Sequence, residues 1–363
     1  MQEHVLHRSG KKKGTIMNIL QNEIYKKDIE TAIESTIDIE KLYGTSIMIT
    51  GATGLVGSFI TDMLICLNQE KNANITIYAV SRSAGRIDAR FGQHPFLIPL
   101  EQNVVVPFAF GRHLDYIIHA ASNAYPKAMN EEPVETIMAN IQGTQNLLEM
   151  GKNCGAKRLL FISSGEVYGK CSEGMGKFTE DYAGYIDSTN PRSCYPQAKR
   201  MAETLCVSYQ KEYGFESVIA RLCHTFGPNV TSKDNRATVQ FFNNAVNNED
   251  IVLKSAGSQT RSYQYIADSA SALLTIMIKA EAGTATNVAN SESTITIRRL
   301  AEKIAEAAGT KAIIEAPTET DLAERTFIDH QVLDTTKLEE LGWTNAFSLD
   351  EGIRNTLEIL KAR

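Results

Sequence analysis

No stretch of this chain is apolar for long enough to cross a membrane, so a helical membrane protein is not expected. There is no surplus of positive charge either. The formal net charge is −6, which argues against a nucleic-acid partner. Six cysteines are present (Cys66, Cys154, Cys171, Cys194, Cys206 and Cys223), but none forms a Cys-x-x-Cys pair. That excludes a zinc ribbon or a disulfide framework, predicts no metal site, and fits reduced thiols in the cytoplasm. The basic opening stretch, with Arg8, Lys11, Lys12 and Lys13, leads into no apolar signal core, so no export signal is expected. Residues 1–16 read as disordered, with Met17 an alternative start. Internal repeats and low-complexity linkers are also missing. What remains is ordinary globular composition, 43% hydrophobic and 22% charged over 363 residues, which suffices for a large core and one or two domains.

Against these absences stands one dense signal. Ser46–Thr50 is a short apolar run with β-branched residues, as a buried parallel strand requires. Gly51, Gly54 and Gly57 follow at three-residue spacing, and an amphipathic segment runs from Leu55 to about Leu67. Strand, glycine turn and helix make a dinucleotide-binding fingerprint. Gly51 permits the tight turn, Gly54 admits the pyrophosphate, and Gly57 lets helix and strand pack closely. The phosphates then lie at a helix N-terminus, where free N–H groups and the dipole favour an anion.

The rest of the chain alternates in kind. Helices are expected at Asn18–Glu34, Val134–Met150 and Ser193–Tyr213, and strands at Ile75–Val80, Tyr116–Ala121, Arg158–Ser163 and Ser217–Leu222. Phe96–Leu100 and Val104–Val106 are expected to hold a third strand between them. Later helices are expected near Thr238–Asn247, Asp268–Ala280, Arg298–Ala308 and Thr335–Leu341. Alternation of strands and helices predicts an α/β fold with a doubly wound, Rossmann-type parallel sheet. A second, smaller domain is expected from the late segments.

A candidate chemistry lies downstream. Of the thirteen tyrosines only Tyr195 has a lysine four residues on, Lys199, which puts both on one helix face. A cationic amine near a phenol favours the phenolate, a base suited to an alcohol or sugar hydroxyl. Phe161–Gly169 ends a strand on a polar loop at the edge where such sheets bind ligands. In it, Ser164 is placed to hydrogen-bond the hydroxyl being oxidised, and Glu166 offers a carboxylate to the same cleft.

Together these residues resemble the extended short-chain dehydrogenase/reductases that act on nucleotide sugars: epimerases, dehydratases and decarboxylases. Gly51–Gly57, Asn140-x-x-Gly143-Thr144-x-Asn146, Ser164, Tyr195-x-x-x-Lys199 and Phe226-Gly227-Pro228 carry the resemblance over about residues 45–345. Three stretches are most similar to the UDP-glucuronate decarboxylases: Asn190–Tyr195 with Lys199–Leu205, Gly257–Asp268, and the loop after Ser122 with Pro126 and Met129.

The resemblance implies NAD, with NADP as the alternative, and a nucleoside-diphosphate sugar, UDP-linked, as substrate. It implies cofactor contacts from Gly51, Thr53, Gly54, Leu55, Val56, Gly57, Ser81, Arg82, Asn103, Val104, Ala120, Ala121, Ser122, Asn140, Ile162, Tyr195 and Lys199. Substrate contacts are implied for Ser122, Asn123, Pro126, Ser164, Gly165, Glu166, Tyr195, His224 and Arg261. Tyr195, Lys199, Ser164 and Glu166 are implied as catalytic. Residues 45–222 with about 262–290 are expected to hold the cofactor, 223–261 and 291–363 the sugar, and 1–44 an extension. A homodimer is implied, through Val134–Met150 and Ser193–Tyr213, with Ile137, Ile141, Leu148, Met201, Leu205 and Tyr209 supplying apolar surface. The expected reaction is decarboxylation through a transient 4-keto sugar; 4,6-dehydration, 4-epimerisation and a non-enzymatic NAD-binding scaffold are the alternatives.

Four positions depart from that pattern. Gly165 stands where the decarboxylases have serine and many dehydratases aspartate. His224 replaces an asparagine, and Asn103 replaces an aspartate near the adenine. No acid follows the second strand, where Ser81 and Arg82 stand; an arginine there can accept a 2′-phosphate.

Overall fold

The computed structural model describes residues 19–172, 174, 176–231, 233–316, 318 and 328–363. The expectations for residues 1–18 lie outside them. In chain order the elements begin with α1 (Glu23–Glu34), β1 (Ser46–Thr50), α2 (Leu55–Lys71), β2 (Thr76–Ser81), α3 (Ala84–Phe91), β3 (Leu97–Glu101) and β4 (Tyr116–His119). Then come α4 (Pro126–Glu131), α5 (Pro133–Cys154), β5 (Arg158–Ser164), α6 (Cys194–Tyr213), β6 (Glu216–Leu222), β7 (His224–Phe226), α7 (Ala237–Val246) and β8 (Ile251–Leu253). The last part holds β9 (Thr260–Tyr265), α8 (Ile266–Lys279), β10 (Ala285–Val288), β11 (Thr294–Thr296), α9 (Ile297–Ala308), β12 (Ala312–Ile314) and β13 (His330–Gln331). The short helix α10 (Thr336–Glu340) and the terminal helix α11 (Leu349–Lys361) complete the chain.

Among the described residues, seven parallel strands form the main sheet in the order β10-β6-β5-β4-β1-β2-β3. The order reverses between β1 and β4, so the crevice at their carboxyl ends is the ligand-binding edge of a doubly wound sheet. Its strands alternate between two apolar layers. Ile47 and Ile49 of β1 face a core shared with α2 and α8, while Met48 faces one shared with α5 and α6. Burial on both faces is why these strands read as unbroken apolar runs. Each fully buried Leu, Ile or Phe contributes about 1.5–3 kcal/mol.

A smaller sheet runs β11-β9-β13, with β7 also paired to β9. The expected third strand is β3 alone. Val104–Val106 forms a turn, because Asn103 closes on it by accepting the Val105 N–H at 3.3 Å and through a backbone bond from Val106 N to its own carbonyl at 3.0 Å. Residues 260–265 pair within the small sheet, and the chain returns to the main sheet only through α8 and β10.

The N-terminal helix α1 joins these parts. The Tyr25 hydroxyl donates to Asp62 of α2 at 2.6 Å, and Asn229, just past β7, donates to Tyr25 at 2.6 Å. Asp28 accepts from Tyr265 of β9 at 2.5 Å and from Asn355 of α11 at 2.7 Å. Burial pushes the Asp28 carboxyl up to about 6.

Candidate active site

The glycine turn lies at the crevice between β1 and β4. Gly51 has φ +68°, and a Cβ there would stand 2.8 Å from the Ala120 carbonyl oxygen. A Cβ on Gly57 would overlap the Gly51 carbonyl oxygen. Both positions therefore exclude any side chain. Gly54 is the N-cap of α2 and brings no side chain to the first turn, so the amides that follow it face the crevice. Thr53, Leu55 and Val56 are half-buried around this cradle.

The opposite wall comes from β4 and α5. Ala120 N donates to the Thr50 carbonyl at 3.2 Å and Ala121 N to the Thr50 hydroxyl at 3.3 Å, which holds the Ala120–Ser122 loop against β1. Buried Ser122 Oγ and Asn140 Oδ1 have no partner among the described residues. Such buried orphans call for a ligand. The Asn140–Asn146 segment also has a packing role. Asn146 Nδ2 donates to the Val104 carbonyl at 2.8 Å, and a Cβ on Gly143 would meet Val104 Cγ2 at 2.9 Å. The glycine cradle and the orphaned oxygens fit a dinucleotide. Ser81 ends β2 and is buried, whereas Arg82 and Asn103 are exposed.

Tyr195 and Lys199 lie one turn apart on α6, beside the end of β5, and both are buried. Lys199 Nζ donates to the Ile162 carbonyl at 2.6 Å and stands 5.7 Å from the Tyr195 ring centroid. Ser164 is hydrogen-bonded to the Tyr195 phenol, and its Oγ accepts the Glu166 N–H at 3.2 Å. Four groups expected from sequence thus meet at one place.

Their ionisation differs from expectation. The lysine was expected to pull the phenol down, but burial and the Glu166 charge push Tyr195 up to about 12. Burial pulls Lys199 down to about 7, against the pull of Glu203. Desolvation disfavours the charged form of each.

Glu166 is not a free loop charge. Arg192 grips it bidentately, at 3.2 Å through each terminal nitrogen, with both side chains largely buried. The Arg192 Nε is buried without a partner among the described residues. Arg192 lies inside the Asn190–Tyr195 stretch, where the sequence alone assigns it no role. The available signal was its position three residues before Tyr195, one helical turn upstream.

The third wall comes from the small sheet. His224 of β7 has its Nε2 buried without a partner among the described residues. Burial, then the charges of Arg261 and Arg236, bring it down to about 3, so it is a neutral imidazole. Gln331 of β13 hydrogen-bonds it. Gln331 also accounts for Gly165: a Cβ at that position would stand 3.0 Å from Gln331 Nε2 and 3.4 Å from Leu333. Room for the amide replaces the serine or aspartate hydroxyl or carboxylate of the related pattern. Gln331 carries no local sequence signal, because its partners are 107 and 166 residues away along the chain.

Arg261 is 2% exposed, and its guanidinium donates to the Thr260 carbonyl at 3.1 Å and to the Ile328 carbonyl. It belongs to this wall, where burial lowers its guanidinium against the pull of Tyr263 and Glu166. Asn123 is half-buried in the loop before α4, and Pro126 is the first residue of that helix.

The outer face of α5 and α6 exposes Val134, Met138, Met201 and Val207. Leu148, expected on this surface, is instead fully buried against the sheet, with the strand residues Ile117 and Phe161 in the same core.

Comparison with known proteins agrees with this geometry. The sequence model of the NAD dependent epimerase/dehydratase family matches residues 47–290. The chain is 32% identical to UDP-glucuronic acid decarboxylase 1 of Danio rerio over 86% of its own length and 72% of the relative's. It is 33% identical to UDP-glucuronic acid decarboxylase 6 of Arabidopsis thaliana, over 85% and 86% of the two chains. In fold it is similar to the UDP-glucose 4-epimerase of Thermotoga maritima, with TM-score 0.74 and 24% identity over 87% of this chain and 99% of that one. It is likewise similar to the dTDP-glucose 4,6-dehydratase DesIV of Streptomyces venezuelae in complex with NAD, with TM-score 0.74 and 19% identity over 87% and 97%. The cradle, the Tyr195/Lys199 pair and the match over two thirds of the chain lead to one conclusion: this protein is an enzyme of the NAD-dependent epimerase/dehydratase family.

Proposed function

We propose that this chain decarboxylates UDP-glucuronate through a transient 4-keto sugar, in the cytoplasm and as a homodimer. The observation that carries the reading is the Glu166–Arg192 pair beside Tyr195. Two relatives of about one-third identity bear that activity in their names. A 4-epimerase needs only redox at C4. A charged pair beside the hydroxyl-oxidising groups supplies what chemistry at C5 requires.

NAD bound in the cradle supplies the hydride acceptor for C4 and a positive charge beside the phenol. The chain's own residues do the rest. Ser164 holds the C4 hydroxyl, and Tyr195, poised as a phenolate that Lys199 stabilises, takes its proton and becomes the neutral phenol. The 4-keto group makes the C5 carbanion an enolate, so the bond from C5 to the carboxylate breaks and carbon dioxide leaves. Glu166 manages the proton that C5 then takes up, and Arg192 fixes the carboxylate's position. Tyr195 returns its proton to the C4 oxygen when the hydride comes back. Where C5 bears CH2OH, the same carboxylate is placed to remove the C5 proton, and water leaves instead.

The test is a panel of nucleotide sugars read by mass. Loss of carbon dioxide from UDP-glucuronate is expected. Loss of water, a new isomer of unchanged mass, or NAD binding without turnover of any sugar would each replace this reading with dehydration, epimerisation or a scaffold role. Glu166→Gln is expected still to reduce bound NAD on adding substrate, but to lower overall turnover by roughly 10²–10⁴. Turnover at the wild-type rate would make Glu166 a mere loop charge. The exposed apolar face of α5 and α6 supports the dimer, to be read as a doubled mass by light scattering.

A further inference from the structure

The end of β2 raises a question that the catalytic groups leave open. Dinucleotide-binding sheets hold the adenosine ribose with an acid beyond the glycine turn. Here Ser81 and Arg82 stand at that end, and neither is acidic.

The neighbouring strand brings an acid to the same turn. β3 runs parallel to β2, with Ser81 in register with Glu101, so the two strands end side by side. Glu101 is the last residue of β3. Its Oε2 accepts the N–H of Ala84, the first residue of α3, at 3.0 Å. The side chain therefore reaches across the β2–α3 turn from the β3 side. Ser83, the N-cap, makes no side-chain cap, so the carboxylate of Glu101 takes that place. Arg82 and Arg86 flank the same turn, are exposed, and form no ion pair among the described residues.

These groups would treat two cofactors differently. A ribose 2′-hydroxyl is a donor and pairs with a carboxylate. A 2′-phosphate is an anion and would need the arginines and the α3 amide, but a carboxylate already holds that amide. Like charges at hydrogen-bonding range repel even at an exposed site such as this one, though solvent weakens the effect.

We propose that Glu101 is the ribose-recognition residue of this enzyme, selecting NAD over NADP from β3 in place of the acid missing from β2. The proposal concerns cofactor choice and does not depend on which sugar is processed. Arg82 and Arg86 then carry only a residual attraction for the 2′-phosphate, which Glu101 overrides.

The experiment is calorimetric titration of the cofactor-stripped full chain with NAD and with NADP, which reads binding without turnover. Wild type is expected to bind NAD the more tightly. Glu101→Gln is expected to weaken NAD by about tenfold, the worth of a charge-assisted hydrogen bond, and to strengthen NADP. Glu101→Asp keeps the charge and shortens the reach, so it should weaken NAD while still rejecting NADP. Arg82→Ala should lower affinity for NADP alone. Thermal unfolding without cofactor checks that each variant is folded. A wild-type preference for NADP overturns the proposal. So does a Glu101→Gln variant, folded by that check, with an unchanged ratio of NAD to NADP affinity.

Discussion

The two halves of the crevice are built from different materials. The cofactor side is backbone: glycines whose missing side chains leave room, and amides at the start of α2. The other side, proposed to hold the sugar, is side chains fixed from several elements: Glu166 by Arg192, neutral His224 near Gln331, and Arg261 by two carbonyls. A backbone cradle is fixed by a dozen consecutive residues. A side-chain wall needs β5, α6, β7, β9 and β13 to arrive together. The cradle thus suits a cofactor common to the whole family, and the wall can be altered for one substrate without disturbing it.

Three variants would break or sharpen that contrast. The largest effect is expected from Gly57→Val, whose side chain would overlap the Gly51 carbonyl. NAD binding should fall by roughly 10³ or more, since the turn must shift away from the pyrophosphate. Calorimetry with NAD reads this, and near-normal binding would show that the cradle is not rigid. Next is Arg192→Gln, which leaves the Glu166 carboxylate unpartnered. Turnover should drop by roughly 10–10², the usual cost of misplacing a catalytic group, with NAD affinity within about twofold of wild type. Steady-state kinetics beside an NAD titration separates the two, and a parallel loss of NAD affinity would mean that the halves are not independent.

The smallest effect concerns stability. Lys199 is pulled down to about 7 in the folded chain, below its unfolded value of about 10.4. Between those values the unfolded chain binds the extra proton, so this lysine's contribution to stability grows as pH rises and is lost as pH falls through about 7. From pH 7 to 9, wild type should gain about 2 kcal/mol relative to Lys199→Met. Denaturant melts of both proteins across that range read the difference; parallel curves would show that the buried amine keeps its charge.

The contrast also explains what the sequence disclosed. β1 runs Ser46–Thr50, as its apolar run predicts, because that strand is buried on both faces and the glycines fix its end. The doubly wound sheet followed from such runs. The small sheet stayed hidden because β7 and β11 are three residues each and β13 is two, too short to show a period. Helix α11 did carry a readable signal: Ser348 and Glu351 form a capping box, with apolar Ile353 and Leu357 behind it. Within the site, Ser164, Glu166, Tyr195 and Lys199 were legible from spacing and resemblance. Arg192 lacked a role and Gln331 was missed altogether, since only tertiary contact gives either a partner. The ionisation was not legible for a related reason: spacing does not express burial, which together with the Glu166 charge raises the Tyr195 phenol.

Helix α1 has a consequence for how the chain is made. Its Asp28 is held by Asn355 at 2.7 Å, eight residues from the final Arg363. The first helix is synthesised more than three hundred residues before its last partner. A nascent chain can cover Tyr25 with Phe59 and Asp62 of α2 early, but Asp28 stays without its Asn355 amide until α11 has left the ribosome. Assembly cannot finish half by half, as it would in a protein whose cofactor and substrate regions closed separately. A ribosome stalled before α11 would leave the Asp28 carboxyl without its Asn355 amide.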